Sequence, residues 1–237
     1  AHVRIDTVYA GIAGGHIRSF QSHGVVALRQ GEVTLADLER VHELTRAAAI
    51  PRDQHVLHLI PQQYVVDSQG GIKHPLGICG VRLEAEALIV TAAQGALNNL
   101  VKCIHLAGLR LADVVLEPLA ASHAILTEEE REIGTCLVDL GGGTTDLAIF
   151  NKGSLVHTSV IGWGGIRLTK EIANGLRTPL HEADRLKRRH GAAMSAGVPA
   201  EEQIEVPSVA DRTPRGLARR VLTDVLEDNL EELFRLG

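Results

Sequence analysis

Residues 136 to 150 read CLVDLGGGTTDLAIF and place a run of glycines between two apolar segments, with Asp139 and Asp146 on either side. Glycine weakens a strand unless the backbone must approach another group closely, so the pattern predicts a ligand-binding turn. Successive backbone N–H groups of such a turn can converge on phosphate oxygens, and nearby hydroxyls add donors. The residues predicted to bind phosphate are Gly141, Gly142, Gly143, Thr144 and Thr145.

The elements around this turn exclude two other phosphate-binding motifs. Residues 136–161 read as tightly connected antiparallel strands, with a second turn at Asn151-Lys152-Gly153. A dinucleotide-binding fold and a Walker loop both lead from a strand into a helix, and the Walker loop also needs a GK[ST] sequence that is absent here. An acid at the end of the first strand can hold Mg²⁺ through water or orient an attacking water, and these roles are predicted for Asp139. The alternative is a glycine-rich hairpin with solvated acids.

The composition is that of an ordinary globular protein. The chain has 237 residues, of which 45% are hydrophobic and 22% charged, and its formal net charge of −5 provides no basic surface for nucleic acid. Cys79, Cys103 and Cys136 lie in apolar settings without CxxC spacing, which predicts buried thiols in a reducing compartment. No apolar run is long enough to span a membrane, and the histidine spacing predicts no structural metal. Because the chain lacks an initial Met and stops on a helix, we expect a fragment.

The N-terminal third is predicted to form a compact α+β unit. Strands are expected at 3–12 and 24–28, and a helix begins at Thr34 with Asp37 as its capping partner. Two β-rich runs, HVLHLI and QQYVVD, are separated by Pro61, and the alternation in VRLEAEALIV predicts a half-exposed strand. The apolar stripe expected on the helix consists of Leu35, Leu38, Val41, Leu44 and Ala48.

From Gln94 onward, helices alternate with strands, which is typical of an α/β fold. A helix is predicted from Gln94 to Ala107, followed by the strand LADVVL and the helix EPLAASHAIL. The last third is mainly helical, with a helix at 166–176, another capped by Thr178-Pro179, the short strand QIEVPSV, and a final helix from Thr213-Pro214. The final helix is expected to bury a face formed by Leu217, Val221, Val225, Leu230, Leu233 and Leu236.

The stretch DLGGGTTDLAIF resembles the second phosphate motif of the actin-like ATPases, a superfamily that includes chaperone ATPases, sugar kinases and MreB. Three further segments resemble the FtsA family of bacterial cell-division proteins, namely VYAGIAGGHIRSFQSHGVVAL, HVLHLIPQQYVVDSQGGIKHPLGICGVRLEAEALIVTA and EVPSV with the following RTPR. The resemblance covers essentially the whole chain. It implies an α/β, actin-like (ribonuclease H-like) ATPase fold with an inserted α+β subdomain, incomplete at both ends.

The resemblance also implies where the subdomains lie. The implied segments are the end of the first actin-like subdomain (1–10), an inserted SHS2-like subdomain (11–91), the remainder of the first lobe (92–134), a second-lobe core with the phosphate loop (135–175) and an outer helical subdomain (176–237). Actin itself, MreB and the chaperones lack the inserted subdomain.

Several family positions match residues of this chain. Glu117 in EPLAAS resembles the acid that faces the γ-phosphate and polarises water, although an acid in a first turn also favours a helix by itself. Gly164 and Gly165 resemble the loop that closes over the nucleotide, and a plain turn into a helix is the alternative. Asp184 and Lys187 match positions that contact ribose and adenine, although relatives usually have Glu in place of Asp184. The arginines beside them are interpreted as a solvated basic face.

By the same resemblance, the last subdomain receives the C-terminal tail of FtsZ through Arg215, Asn229 and Glu232, and the alternative for this helix is ordinary packing. The implied cofactors are ATP and Mg²⁺. Hydrolysis is slow or conditional in the family, so an assembly protein is expected rather than an efficient enzyme. The first phosphate motif, an adenosine-contacting segment and a membrane helix are expected outside this chain, which alone would bind nucleotide poorly.

The implied function is that of an ATP-binding adaptor that polymerises and recruits FtsZ filaments to the cytoplasmic membrane. The inserted subdomain would link the filaments to late division proteins. The protein would lie in the cytoplasm, peripheral on the inner face of the membrane at the division site. One alternative is a PilM-like pilus-assembly scaffold, against which the IPQQY and VPSV segments argue. The other is a sugar kinase, for which no sugar-binding acid is visible and no inserted unit is expected.

Overall fold

The computed structural model describes residues 4–47, 50–209 and 213–236. Within these ranges the strands are β1 (Thr7–Ile12), β2 (Arg18–Ala27), β3 (Gln54–Val66), β4 (Gln69–Ile72), β5 (Arg82–Ala93), β6 (Arg110–Leu116), β7 (Thr135–Leu140), β8 (Thr145–Asn151), β9 (Ser154–Ile161), β10 (Gln203–Val206) and β11 (Arg215–Ala218). The α-helices are α1 (Leu35–Arg46), α2 (Gln94–Leu106), α3 (Glu117–Ile125), α4 (Glu128–Ile133), α5 (Gly165–Gly175), α6 (Leu180–His190) and α7 (Arg219–Leu236).

The chain divides into two compact units. The first unit comprises Ala1–Asp139 and Asp146–Val160, and the second comprises Leu140–Thr145 and Ile161–Gly237. The segment 135–175, predicted as one second-lobe core, is therefore shared between the units. The reason is that apolar side chains of β7, β8 and β9 pack in the core of the first unit; these are Leu137, Ala148, Phe150 and Leu155.

The first unit contains a four-stranded sheet in the order β2-β5-β3-β4, in which β5 pairs antiparallel with both β2 and β3. The prediction of a half-exposed strand at 81–90 was wrong, because β5 is the central strand and both of its faces are covered. Leu88 and Val90 pack in one apolar cluster, and Leu83 and Ala85 pack in another. The buried Glu84 on this strand is held by His23 Nε2 at 2.8 Å and by the guanidinium of Arg82.

Strand β3 runs without interruption through Pro61, so the prediction of two runs separated by this proline was wrong. The pairing register of β3 with β5 shifts between Pro61 and Gln63 and again between Val56 and His58. Such irregularities accommodate a residue that cannot donate a ladder hydrogen bond. The strand expected at 24–28 also extends further back, from Arg18 to Ala27.

Helix α1 begins as predicted at a capping box, in which Thr34 and Asp37 bond reciprocally through side chain and backbone. Its buried face differs from the predicted stripe. Val41 is fully buried, whereas Leu35 is 67% exposed and Leu44 is 51% exposed. The helix packs against β2 with Thr45 buried, and the two leucines face solvent. Ala48 lies outside the described residues.

The predicted alternation of helix and strand after Gln94 is confirmed by α2, β6 and α3. Strand β6 pairs in parallel with β1, and α2 and α3 pack on it. Helix α4 was not predicted; it is a short helix whose N-terminus is a capping box formed by Thr127 and Glu130. The three cysteines are all exposed, so the prediction of buried thiols was wrong because apolar neighbours in sequence do not fix which way a side chain faces.

The second unit has one apolar core between α5, α6, α7 and the antiparallel pair β10 and β11. The final helix begins at Arg219 rather than at Thr213, because Arg215–Ala218 pairs with β10 as a strand. This later start changes the buried face to Leu222, Leu226 and Leu233, and it leaves Val221 43% exposed. Thr178 is buried but does not cap α6, whose N-cap is Pro179.

No helix in the described ranges combines the length and the apolar character needed to cross a membrane.

Candidate functional site

In the first unit, Glu117 is placed where strand β6 ends and helix α3 begins. The N–H of Leu116 donates to His58 Nε2 at 3.0 Å, which fixes the backbone just before the carboxylate. Burial lowers the pKa of His58, which keeps the imidazole neutral and able to accept this bond.

Two aspartates influence Glu117 electrostatically. Partial burial first, and then the negative charges of Asp146 and Asp139, raise the pKa of Glu117 above its ordinary value. Asp139 lies on β7 just before the glycine turn, and Asp146 lies on β8 just after it and is 5% exposed. The structure thus brings predicted residues Glu117 and Asp139 together with Asp146, which had been noted in the sequence but given no role. These charges repel one another, but within the described residues no three or more Asp, Glu, His or Cys side chains are arranged to hold a metal ion together.

In the second unit, the glycine turn is joined to the loop before α5 by backbone hydrogen bonds. The N–H of Gly165 donates to Gly141 O at 3.0 Å, and the N–H of Ile166 donates to Gly142 O at 2.8 Å. A Cβ at Gly164 would lie 2.6 Å from Gly141 O and 2.7 Å from Gly142 O, so only glycine fits between these carbonyls. The two predicted glycine segments therefore form one interlocked pair of loops.

The outer side of this loop pair is open. A Cβ at Gly143 would meet nothing within 4 Å, and one at Gly142 would meet only the tip of Ile166, at 3.9 Å. The absence of side chains here leaves the backbone accessible to a ligand. Backbone that can be approached closely at consecutive glycines is the arrangement that phosphate oxygens require, so these residues fit a phosphate group.

The hydroxyl of Thr145 donates to Trp163 O at 2.7 Å rather than pointing outward. Thr145 and Trp163 are both buried, and the guanidinium of Arg167 lies 3.5 Å above the centre of the indole ring. Thr145 thus helps to hold the two loops together. This position differs from the predicted role of Thr145 as a direct phosphate donor.

Helix α6 supports the same loops through Lys187. Its ammonium donates to Gly165 O at 2.9 Å and to Thr169 Oγ1 at 2.6 Å, and it lies 3.2 Å from Asp184 Oδ1. The hydrogen bond from Lys187, followed by that from Arg188, lowers the pKa of Asp184. Asp184 and Lys187 are therefore brought together with Gly165, as their predicted common site requires. Sequence reasoning missed Thr169, which its i+4 spacing from Gly165 on α5 could have indicated.

The three predicted partner-binding residues lie on two elements of the second unit. Arg215 is on β11, where its guanidinium donates to Leu176 O. Asn229 and Glu232 lie one turn apart on α7, with Asn229 Nδ2 donating to Val225 O at 2.8 Å. Glu232 is exposed, and its carboxylate lies 3.9 Å from Arg167 Nη2. Of the three, Glu232 is the least engaged in internal contacts.

The fold is α/β and actin-like, with an inserted α+β subdomain. Two family models match the sequence, "SHS2 domain inserted in FTSA" over residues 14–91 and "Cell division protein FtsA" over residues 136–235. The chain belongs to the FtsA family of cell division proteins.

Among curated relatives, the FtsA of Pseudomonas aeruginosa is 50% identical over 236 residues, which are 100% of this chain and 57% of that protein. The FtsA of Escherichia coli is 40% identical over 236 residues, again 100% of this chain and 56% of the relative. The chain therefore spans a little over half the length of these proteins. The solved PilM-PilN type IV pilus biogenesis complex has a TM-score of 0.58 and 18% identity, covering 80% of this chain and 52% of that chain. This likeness shows the fold alone.

Proposed function

We propose that the interlocked glycine loops bind the phosphates of a nucleotide, ATP in complex with Mg²⁺. The observation that carries this proposal is the position of Gly164, where a Cβ would lie 2.6 Å from Gly141 O and 2.7 Å from Gly142 O, so that no side chain fits. Close backbone packing of this kind shapes an open, glycine-lined surface at Gly142 and Gly143. Lys187 donates to Gly165 O and lies beside Asp184, so both side chains adjoin the loops, and a contact with the ribose or adenine is proposed for them.

Glu117 and Asp139 are the residues proposed to carry the chemistry. Asp139 would hold Mg²⁺ through water, and Glu117 would orient the attacking water. The raised pKa of Glu117 supports this role, because a carboxylate with higher proton affinity is a better acceptor for the proton of that water. Bound Mg²⁺·ATP supplies the phosphoryl group. Slow turnover is proposed, in keeping with an assembly protein.

The cellular role proposed for the whole protein is that of a cell-division adaptor at the inner face of the cytoplasmic membrane. It would polymerise, recruit FtsZ filaments through Arg215, Asn229 and Glu232, and contact late division proteins through the inserted subdomain. Family membership supports this role. The exposed position of Glu232 on α7 supports a tail-binding surface there. The membrane contact is proposed to reside in sequence outside this chain.

The adaptor role is tested by the fluorescence anisotropy of a labelled FtsZ C-terminal peptide titrated with this chain. We expect saturable binding in the micromolar range, about −8 kcal/mol, that is weakened by Glu232→Lys. Asp228→Lys makes the same charge change one turn earlier on the exposed side of α7 and is the matched control. Equal affinity of the Glu232→Lys variant and the unaltered chain would remove α7 from the proposed surface.

Nucleotide binding is tested separately through Trp163, the one tryptophan of the sequence. Its ring is buried and stacked under Arg167, next to Gly164, so occupancy of the glycine loops should change its emission. Because the chain alone is expected to bind nucleotide poorly, we expect a change that saturates only at high Mg²⁺·ATP concentration and that a nucleoside without phosphates does not produce. A response of equal size to adenosine and to Mg²⁺·ATP would contradict a phosphate-binding role.

A further inference from the structure

The first unit contains a polar cleft of about 340 Å³ that none of the candidate site residues described above lines. One wall is the middle of β3, from Pro61 to Tyr64, together with Lys73 and His74. The opposite wall is the turn between β8 and β9, formed by Lys152 and Gly153, with Ser154 following. Basic side chains from segments far apart in sequence therefore converge on one cleft. Its volume is at the lower end of the range of ligand pockets.

The walls of this cleft are held by internal hydrogen bonds. Gln62 Nε2 donates to Leu155 O at 2.8 Å, which ties β3 to β9. The turn is tied to α4, because the N–H of Lys152 donates to Glu132 O at 3.1 Å and that of Gly153 to Arg131 O at 3.0 Å. Both walls of the cleft are thus fixed before a ligand binds, which reduces the conformational entropy that binding would cost.

The conformation of Lys152 is the second observation that points to a ligand. Lys152 has φ of 51° and Gly153 has φ of 80°, the signature of a two-residue hairpin turn in which Asn-Gly is strongly preferred. The turn explains the positive φ of residue 152. It does not explain the choice of lysine there, because lysine is less favourable than asparagine in the left-handed region. A residue held in such a conformation suggests that its side chain has a use. Here that side chain is a cation at the edge of the cleft.

The charges of the cleft favour a carboxylate. Lys73 Nζ lies 2.9 Å from Glu132 Oε2, but both side chains are more than half exposed, so this pair is weak and exchangeable. In the described part of the chain, neither Lys152 nor His74 forms an ion pair. We propose that the cleft binds carboxylate side chains of an acidic peptide segment on a partner protein. Lys152 and Lys73 would be the charged contacts, and the proposal is independent of the nucleotide and FtsZ-tail proposals.

The test is the fluorescence anisotropy of a fluorescein-labelled peptide of about six glutamates, titrated with the chain at low salt. The formal net charge of −5 disfavours non-specific binding of this peptide, so saturable binding must be local. Lys152→Asn removes the cation while supplying the residue that the turn prefers, so the variant is expected to fold. We expect it to bind about three- to tenfold more weakly, and Lys73→Gln to add to the loss.

The matched control is Lys170→Asn, which removes the same charge from an exposed position on α5 and should leave the affinity unchanged. Absence of saturable binding, or equal affinities of Lys152→Asn and the unaltered chain, would overturn the proposal. Competition with unlabelled glutarate tests whether the cleft prefers a peptide to a free dicarboxylate. If glutarate displaces the peptide at concentrations equal to those of unlabelled hexaglutamate, the peptide assignment is wrong.

Discussion

The backbone of Gly11 lies directly against the side chain of Glu117: a Cβ added at Gly11 would fall 2.6 Å from Glu117 Cγ and 3.0 Å from Oε1. Gly11 is on β1, which pairs with β6, the strand that leads into Glu117. The parallel pair thus fixes where the carboxylate lies, and glycine at position 11 provides the space for it.

Gly11→Ala should therefore displace Glu117 while β1 and β6 stay paired. With the carboxylate moved away from Asp146 and Asp139, the raised pKa of Glu117 should fall toward its ordinary value of 4.5. The measurement is an NMR titration of ¹³C-labelled glutamate carboxyls. Gly15→Ala is the control, because a Cβ there meets nothing within 4 Å. An unchanged Glu117 titration in Gly11→Ala would show that the side chain is not held by this contact.

Glu117→Gln should stabilise the protein at neutral pH. Because the folded-state pKa of Glu117 is raised, ionisation of this group reduces stability as pH rises from 4.5 through the folded pKa. Gln removes that penalty, so the unfolding free energy should increase at pH 7. The gain should vanish below the ordinary pKa, as measured by urea unfolding at both pH values. If Gln instead destabilises the protein at pH 7, the attraction between the Glu117 carboxylate and the N-terminus of α3 is stronger than its repulsion by Asp146 and Asp139.

Gly164→Ala should separate the interlocked loops. The added Cβ would meet two backbone carbonyls, which unlike side chains cannot swing away, so a loss of about 1–3 kcal/mol is expected. The Trp163 response to Mg²⁺·ATP should be lost as well. Gly162→Ala, in the same loop, meets nothing within 4 Å and should retain both stability and response. Identical behaviour of the two variants would refute a special role for the Gly164 contact.

Gly24→Ala should destabilise the sheet and helix of the inserted subdomain. A Cβ at Gly24 would lie 2.5 Å from Thr45 Oγ1 and 2.6 Å from Val41 O, so α1 would have to move away from β2. A loss of about 1–3 kcal/mol is expected from chemical unfolding. Gly95→Ala, in the first turn of α2 with free space around it, should stabilise by about 0.5 kcal/mol. A tolerated alanine at position 24 would mean that α1 shifts freely.

Much of the fold was predictable because its signals are local. The capping box at Thr34 and the boundaries of α2 and α3 depend on residues within a few positions of each other. The elements that were predicted wrongly depend on distant partners. Arg215–Ala218 is a strand because β10 pairs with it, and β3 continues through Pro61 because β5 supports it on one side. Burial of the central strand β5 likewise follows from sheet order, which alternation within one strand does not report.

The candidate site divides in the same way. The glycine turn was visible because consecutive glycines are rare within strands and have a physical reason there. The contact of Lys187 with Gly165 joins residues 22 positions apart, and that of Thr145 with Trp163 joins residues 18 apart. Only the fold reveals that the Thr145 hydroxyl points inward. The roles of the site residues toward a ligand stay predictions.

The six-residue segment Leu140–Thr145 belongs to the second unit, although the chain on both sides of it belongs to the first. The polypeptide therefore crosses between units at 139/140, 145/146 and 160/161. A gene fragment encoding 161–237 alone would lack the carbonyls of Gly141 and Gly142 that accept from Gly165 and Ile166. Neither unit is encoded by one continuous stretch of the gene. Recombination that preserves the glycine loops must therefore transfer both units together.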